Sequence, residues 1–228
     1  MLRNLAFACV LMIALVGGAG RASAHPHVFV TAAIEIRFDP TGKLIGVDES
    51  FTFDDMFSSF STQGLDTDGD GRLSRAELAP LATTNITAMK AFGYYTYASH
   101  DKEWREFEDP KDYWLEDKDG LLVLHFFLAA RQPEPVHGQL FVDIRDPTIF
   151  VAFTMADQDP VRVTGLPADC RLDPARTDPA AGPAQFNRTT ISCGTDLPPP
   201  ATVSAAPAPA PPPGPLDKLL GGRGLQVQ

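Results

Sequence analysis

Short runs of alternating apolar and polar residues, separated by turn-forming residues, constrain the fold of this chain most. Residues 28–30 lead into residues 33–38, where apolar and polar side chains alternate in the manner of a half-buried strand. The segment Asp39-Pro40-Thr41-Gly42 predicts a turn, and residues 43–53 then predict a returning strand. The first part of the chain is therefore predicted to be a β-hairpin.

The same pattern returns further along. Residues 113–115 and 121–128 predict two strands joined by residues 116–120, whose final Asp-Gly pair is a strong hairpin signal. Residues 138–144 and 148–153 predict two more strands around an Arg-Asp-Pro turn. With a helical segment between the two sets, the predicted fold class is α+β, an antiparallel β-sandwich-like domain with an inserted helix-loop-helix EF-hand.

Twelve residues inside that insert have the spacing of a calcium-binding EF-hand loop. Carboxylates at positions one, three and five can converge on one point, and glycine at position six permits the sharp turn. Position seven contributes a backbone carbonyl, position nine can hold a bridging water, and the glutamate at position twelve supplies two oxygens. The predicted Ca²⁺ ligands are Asp66, Asp68, Asp70, Arg72, Ser74 and Glu77.

Helices are predicted on both sides of the loop, so that the insert spans residues 54–92. Asp54 or Asp55 can cap an entering helix that places Phe57 and Phe60 on one side. The exiting helix is predicted to run from near Ser74 towards residue 92, with a kink or interruption at its proline, residue 80. No second loop of this kind occurs in the sequence, which favours a structural calcium ion over a sensor.

The first residues indicate export. A positive start, an apolar run over residues 5–16 and the small-residue site Ala22-Ser23-Ala24 predict a cleaved signal peptide over residues 1–24. The apolar run is shorter than the roughly 20 residues that span a bilayer, so the mature chain is not expected to be transmembrane. We therefore expect a periplasmic protein that begins at His25.

Composition divides the mature chain into a folded region (25–165), a loop-rich region (166–197) and a Pro/Ala-rich linker and tail (198–228). Cys170 and Cys193 are predicted to form a structural disulfide in the second region. The formal net charge of −10 without a basic cluster argues against nucleic-acid binding. No motif of a known enzyme class is present, so we expect no enzymatic activity.

His25-Pro26-His27 offers two imidazoles and, after cleavage, an α-amino group. Nitrogen ligands of this kind suit Ni²⁺, Zn²⁺ or Cu²⁺, and His25 and His27 are candidate ligands of a transition metal. The alternative is that they are simply the first residues of an exported chain. Of the other histidines, His125 is predicted to be a core or strand-face residue, and His100 and His137 are predicted to be solvated.

Several segments in order resemble a bacterial family known as domain of unknown function 1007. They are His25-Pro26-His27-Val28, Phe51-Thr52-Phe53-Asp54-Asp55, the aspartate-rich loop, Tyr94-Tyr95-Thr96 and Asp146-Pro147. The resemblance implies a periplasmic component linked to a membrane transporter of nickel, cobalt or zinc, with His25 and His27 as metal ligands. Two further readings are a calcium-stabilised interaction module without a transport role and, ranked lowest, a copper redox enzyme that uses His25.

Overall fold

The computed structural model describes residues 27–176 and 187–194. Within these residues, eleven strands form two sheets. The predicted signal peptide, His25 and the Pro/Ala-rich tail lie outside the described residues.

The first sheet contains six strands, and the hairpin at the start of the chain, β1 and β2, lies in its middle. Its order is β5-β6-β2-β1-β8, and β9 pairs with β1 beyond the end of β8. Its strands are β1 (Val28–Phe38), β2 (Leu44–Phe53), β5 (Tyr113–Lys118), β6 (Leu121–Ala129), β8 (Val151–Met155) and β9 (Val161–Thr164).

The second sheet contains five strands in the order β10-β11-β7-β3-β4. They are β3 (Thr96–His100), β4 (Glu103–Arg105), β7 (Gly138–Ile144), β10 (Cys170–Arg176) and β11 (Asn187–Cys193). Two sheets with a shared apolar core form a β-sandwich, which confirms that part of the predicted fold class.

The core follows from the two-residue period of the strands. Every second residue of β1 is buried, from Val30 to Phe38, while the residues between them remain partly exposed. Phe51 on β2 makes edge-to-face contacts with Phe126 and Phe153, with ring centroids 5.2 Å apart in both pairs.

One edge of the first sheet is not antiparallel as predicted. β8 and β9 both run parallel to β1, with Val28 opposite Val151 and Ile34 opposite Val161. The preceding strand β7 belongs to the other sheet, so the chain crosses between sheets before it pairs with β1 in the same direction. The sheet is therefore mixed.

The two predicted hairpins are present. In the first, a carboxylate oxygen of Asp39 accepts hydrogen bonds from the backbone N–H groups of Thr41 and Lys43. In the second, Asp119 and Gly120 both have positive φ (56° and 84°), the conformation of a two-residue type I′ turn. The predicted five-residue connection is thus shorter, because β5 extends to Lys118.

The region predicted to be loop-rich contains two strands in its described residues. β10 pairs with β11, and β11 continues the second sheet by pairing with β7. Cys170 lies opposite Cys193 in this register, and the two form the predicted disulfide. The disulfide therefore joins neighbouring strands within one sheet.

Two helices lie between β2 and β3: α1 (Asp55–Ser61) and α2 (Arg75–Met89), which is followed by a 3-10 segment (Lys90–Tyr95). Pro80 does not interrupt α2, because it is exposed and removes a single backbone donor from a helix that packs on β5. Phe57 packs on Phe53, but Phe60 is 74% exposed, so the two predicted partners do not share a buried side.

Candidate metal-binding sites

The helices on either side of the aspartate-rich loop both begin with a side-chain N-cap. Asp54 is the N-cap of α1, where one carboxylate oxygen accepts from the Phe57 N–H at 2.8 Å and the other from the Phe29 N–H at 2.7 Å. The first bond satisfies a free donor of the helix, and the second ties the helix to β1. Ser74, the ninth residue of the loop, is the N-cap of α2.

Three carboxylates of the loop converge. One oxygen each from Asp66, Asp68 and Asp70 lies within 4.8 Å of the others, and all three side chains are exposed. Gly69 and Gly71 have φ values of 74° and 78°, which let the chain turn sharply around the carboxylates. This arrangement has the oxygen donors that a hard divalent cation requires.

Backbone N–H groups hold the carboxylates in place. Asp66 accepts from the N–H groups of Gly69 at 2.8 Å and Gly71 at 3.0 Å, and Asp70 accepts from that of Arg72 at 2.7 Å. A cation bound in the loop would take the backbone carbonyl oxygen of Arg72, the seventh position of the pattern. Leu65 and Leu73 pack against the core and anchor the loop from both sides.

Glu77 forms a capping box with Ser74 instead of joining the three aspartates. Its two carboxylate oxygens accept from the backbone N–H and hydroxyl groups of Ser74 and Thr67, at 2.6 to 2.9 Å. These hydrogen bonds lower the pKa of Glu77 to about 2, and the bond from the Ser74 N–H contributes most. A cation that takes Glu77 as its sixth ligand has to compete with the hydrogen bonds that Glu77 accepts from Ser74 and Thr67.

The histidine pair is only half described, since His25 lies outside the described residues. The backbone N–H of His27 donates to the Phe150 carbonyl at 2.8 Å, and its exposed ring lies 5.1 Å from the Phe150 ring. Among the described residues, the cluster of three convergent ligand groups contains the loop aspartates and not His27.

Three of the segments that carry the family resemblance meet at one end of the sandwich, around the start of β1. His27 contacts Phe150, Asp54 binds the Phe29 N–H, and the carboxylate of Asp146 accepts from the N–H groups of Phe150 and Val151. The carboxylates of Asp54 and Asp146 thus organise the backbone of this end of the fold.

Two further features escaped the sequence analysis. His100 is 6% exposed and not solvated, because it ends β3, whose residues are all buried. Arg105 donates to its Nδ1 at 2.9 Å. Large apolar side chains are exposed around the β1 end of the sandwich. They come from segments far apart in the sequence, so no local pattern predicts that they lie together. They are Phe29, Met56, Phe60, Ile149 and Phe150.

A family model described as Protein of unknown function (DUF1007) matches residues 10–195. The chain belongs to that family. No curated protein matches this DUF1007 chain.

Among solved structures, the DUF1007 chain is similar to the acetylcholine-binding protein type 1 of Biomphalaria glabrata. The TM-score is 0.35 and the identity 12%, over 75% of this chain and 86% of that chain. A likeness at this level says nothing about function. No helix in the described part of the DUF1007 chain is long and apolar enough to cross a membrane.

Proposed function

We propose that this DUF1007 protein is a periplasmic calcium-binding protein that serves as an accessory metal-binding component of a transition-metal transport system. In this proposal calcium is a structural ion of the 66–77 loop. Nickel, cobalt, zinc or copper is the cargo, held by His25 and His27. The protein itself performs no redox step.

The convergence of the Asp66, Asp68 and Asp70 carboxylates within 4.8 Å carries the calcium part of the proposal. Three negative charges so close together repel one another, and a divalent cation would relieve that repulsion. The loop lies between two capped helices whose apolar residues reach the core, so an ion bound there would stiffen the connection between α1 and α2.

The transport part is supported by the family resemblance and by the exposed position of His27 at the start of β1. A metal held at this end would be open to a partner protein. The nearby carboxylates of Asp54 and Asp146 are engaged by backbone N–H groups, so the proposal assigns the cargo ion to nitrogen donors and not to these carboxylates.

Thermal unfolding with and without calcium tests the structural site. Extracellular modules bind calcium with Kd of about 10⁻⁴–10⁻³ M, so about 10 mM calcium stabilises by about 1.4–2.7 kcal/mol. For a protein of this size the melting temperature rises by about 3–10 °C.

Glu77→Gln is expected to abolish this rise. The glutamine oxygen can still accept from Ser74 and so keeps the capping box. The variant loses one ligand charge and the accepting oxygen that faces Thr67. Glu103→Gln, an exposed change on the other sheet, is the matched control and keeps the full rise. Equal melting temperatures of the wild-type protein with and without calcium would refute the structural role.

The cargo site is tested by mass spectrometry of the mature N-terminus, followed by titration with Ni²⁺, Zn²⁺ and Cu²⁺ in the presence of calcium. We expect processing before His25 and loss of binding in His25→Ala and His27→Ala, but not in His137→Ala. Processing elsewhere, or no ion bound more tightly than about micromolar, rejects the transport role; micromolar binding corresponds to about −8.2 kcal/mol.

A calcium-stabilised interaction module without a transport role is the second candidate. It is favoured by the five exposed apolar side chains at the β1 end, among them Met56 and Phe60, which are both 74% exposed. A photo-crosslinker at Met56 distinguishes the two candidates: crosslinks to a membrane transporter support transport, and crosslinks to a soluble partner support the module. The same crosslinker at exposed Thr84 on α2 is the control.

A further inference from the structure

The outer face of the first sheet carries a row of polar and aromatic side chains. Ser50 on β2 lies opposite His125 on β6, and His125 lies opposite Trp114 on β5. On its other side Ser50, which is half-buried, lies opposite the small side chain of Ala33. Four strands therefore bring these residues together.

Hydrogen bonds join Ser50, His125 and Glu116 in one chain. Ser50 Oγ lies 2.9 Å from His125 Nδ1, and His125 Nε2 lies 3.0 Å from Glu116 Oε1. An ionised carboxylate only accepts, so Nε2 carries the proton of the neutral ring. Nδ1 is then the acceptor, and the Ser50 hydroxyl donates to it. This is the order of nucleophile, base and orienting acid found in activated serines.

Aromatic stacking holds the imidazole plane in place. The Trp114 ring stacks on His125 with centroids 4.9 Å apart and 19° between the planes. The Arg75 guanidinium lies 4.6 Å from the centroid of the Trp114 ring. Because Glu116 and Trp114 both constrain the ring, His125 stays aimed at Ser50.

A cavity of about 620 Å³ lies over Ser50 and His125. Thr31 and Thr52 line it from the strands, and the tip of the β5–β6 hairpin and the segment before β9 form its walls. Carboxylates outnumber cations in its lining, so it disfavours anionic ligands. The acidic side chains are Glu35, Asp48, Glu116, Asp119 and Asp159, against Lys118 and Arg162.

We propose that Ser50 is a nucleophile that accepts an acyl group from short esters that are neutral or cationic. Ser50 Oγ attacks the ester carbonyl while its proton moves to His125 Nδ1. The bond to the alcohol breaks, and the departing alkoxide takes that proton from His125. Water then attacks the acyl-serine with His125 again as base, which releases the acid and restores the serine. Glu116 acts as the positioning residue.

The rate is expected to be slow. β2 lies between β1 and β6, so its backbone amides are committed to the two ladders and the oxyanion has to be met by side-chain hydroxyls such as Thr31 and Thr52. Reactive esters and phosphonylating probes are therefore the proper substrates. This activity departs from the expectation of a non-enzymatic protein and does not depend on the proposed metal sites.

Labelling of the mature protein by a fluorophosphonate probe, with the modified peptide located by mass spectrometry, tests the proposal. We expect one label, on Ser50, and none in Ser50→Ala. His125→Gln is expected to slow labelling by about 10²–10⁴-fold, the usual contribution of a general base. Ser59→Ala, which removes an exposed serine of α1 that has no histidine partner, is the control and labels normally.

Two further measurements keep the outcome decisive if His125→Gln does not fold. The wild-type labelling rate is expected to rise with pH, because a general base accepts a proton only in its deprotonated form. p-Nitrophenyl acetate is expected to react faster than an ester with an anionic acyl group. Absence of label on Ser50, a flat pH profile, or equal rates in folded His125→Gln would overturn the proposal.

Discussion

Removal of one buried hydroxyl, in Ser58→Ala, is expected to weaken the attachment of the helix-loop-helix insert to the first sheet. Ser58 lies on α1 and is 1% exposed. Its Oγ accepts from the Leu122 N–H at 3.0 Å. The pairing of β2 with β6 runs only as far as Val123, so this hydroxyl gives the next residue, Leu122, a hydrogen-bond acceptor where that pairing has ended.

The size of the effect follows from what the substitution leaves behind. Alanine offers no acceptor, and a buried N–H without a partner costs about 1–3 kcal/mol. The second bond of this hydroxyl, to the Phe53 carbonyl at 3.5 Å, is long and adds little. We therefore expect a loss of about 2 kcal/mol in the free energy of unfolding, or about 4–8 °C in melting temperature.

Urea unfolding followed by circular dichroism measures this loss. With a slope near 2 kcal/mol/M the midpoint falls by about 1 M, and the slope itself is unchanged. Ser59→Ala is the control on the next residue: its hydroxyl is exposed and bonds only the Met56 carbonyl at 3.3 Å, so we expect a change within about 0.5 kcal/mol. If the two variants unfold at the same urea concentration, the assigned role of Ser58 is wrong.

Three further outcomes are expected. Replacing Cys170 and Cys193 by serine lowers the free energy of unfolding by about 3 kcal/mol in urea titration. A loss below about 1 kcal/mol would contradict a stabilising disulfide between β10 and β11. The Glu77 carboxyl, followed by NMR, is expected to titrate near pH 2. Its contribution to the free energy of unfolding is complete above pH 4.5 and is lost as the pH falls towards 2. A titration midpoint near pH 4.5 would exclude the capping box. Gly46→Ala destabilises by about 1–3 kcal/mol in the same urea assay, because a Cβ there would meet the Leu128 carbonyl, and an unchanged midpoint speaks against that close approach.

Features with a local cause could be predicted from the sequence. The turn at Asp39 and the Asp119-Gly120 pair each specify a hairpin within a few residues, and Asp54 caps the helix that follows it. The aspartates of the 66–77 loop converge for the same reason, since their spacing alone brings them together.

Features that depend on residues distant in the sequence could not be predicted. β11 becomes a strand because β7, more than forty residues earlier, offers it a free edge, and β8 runs parallel to β1 only because the chain has crossed from the other sheet. Ser50 and His125 are 75 positions apart, and nothing in either neighbourhood indicates their hydrogen bond. Glu77 shows the converse, since the same residue fits both a calcium ligand and a helix cap, and local sequence does not choose between them.

The stack of Arg75, Trp114 and His125 gives the protein an internal optical reporter. Arg75 is the tenth residue of the 66–77 loop, so the indole of Trp114 lies between a cation from the loop and the imidazole beside Ser50. The other tryptophan, Trp104, packs against Tyr97 on the second sheet and supplies a constant background. Movement of the loop or of the His125 ring therefore changes the emission of a single indole, and one fluorescence signal follows both ends of the stack.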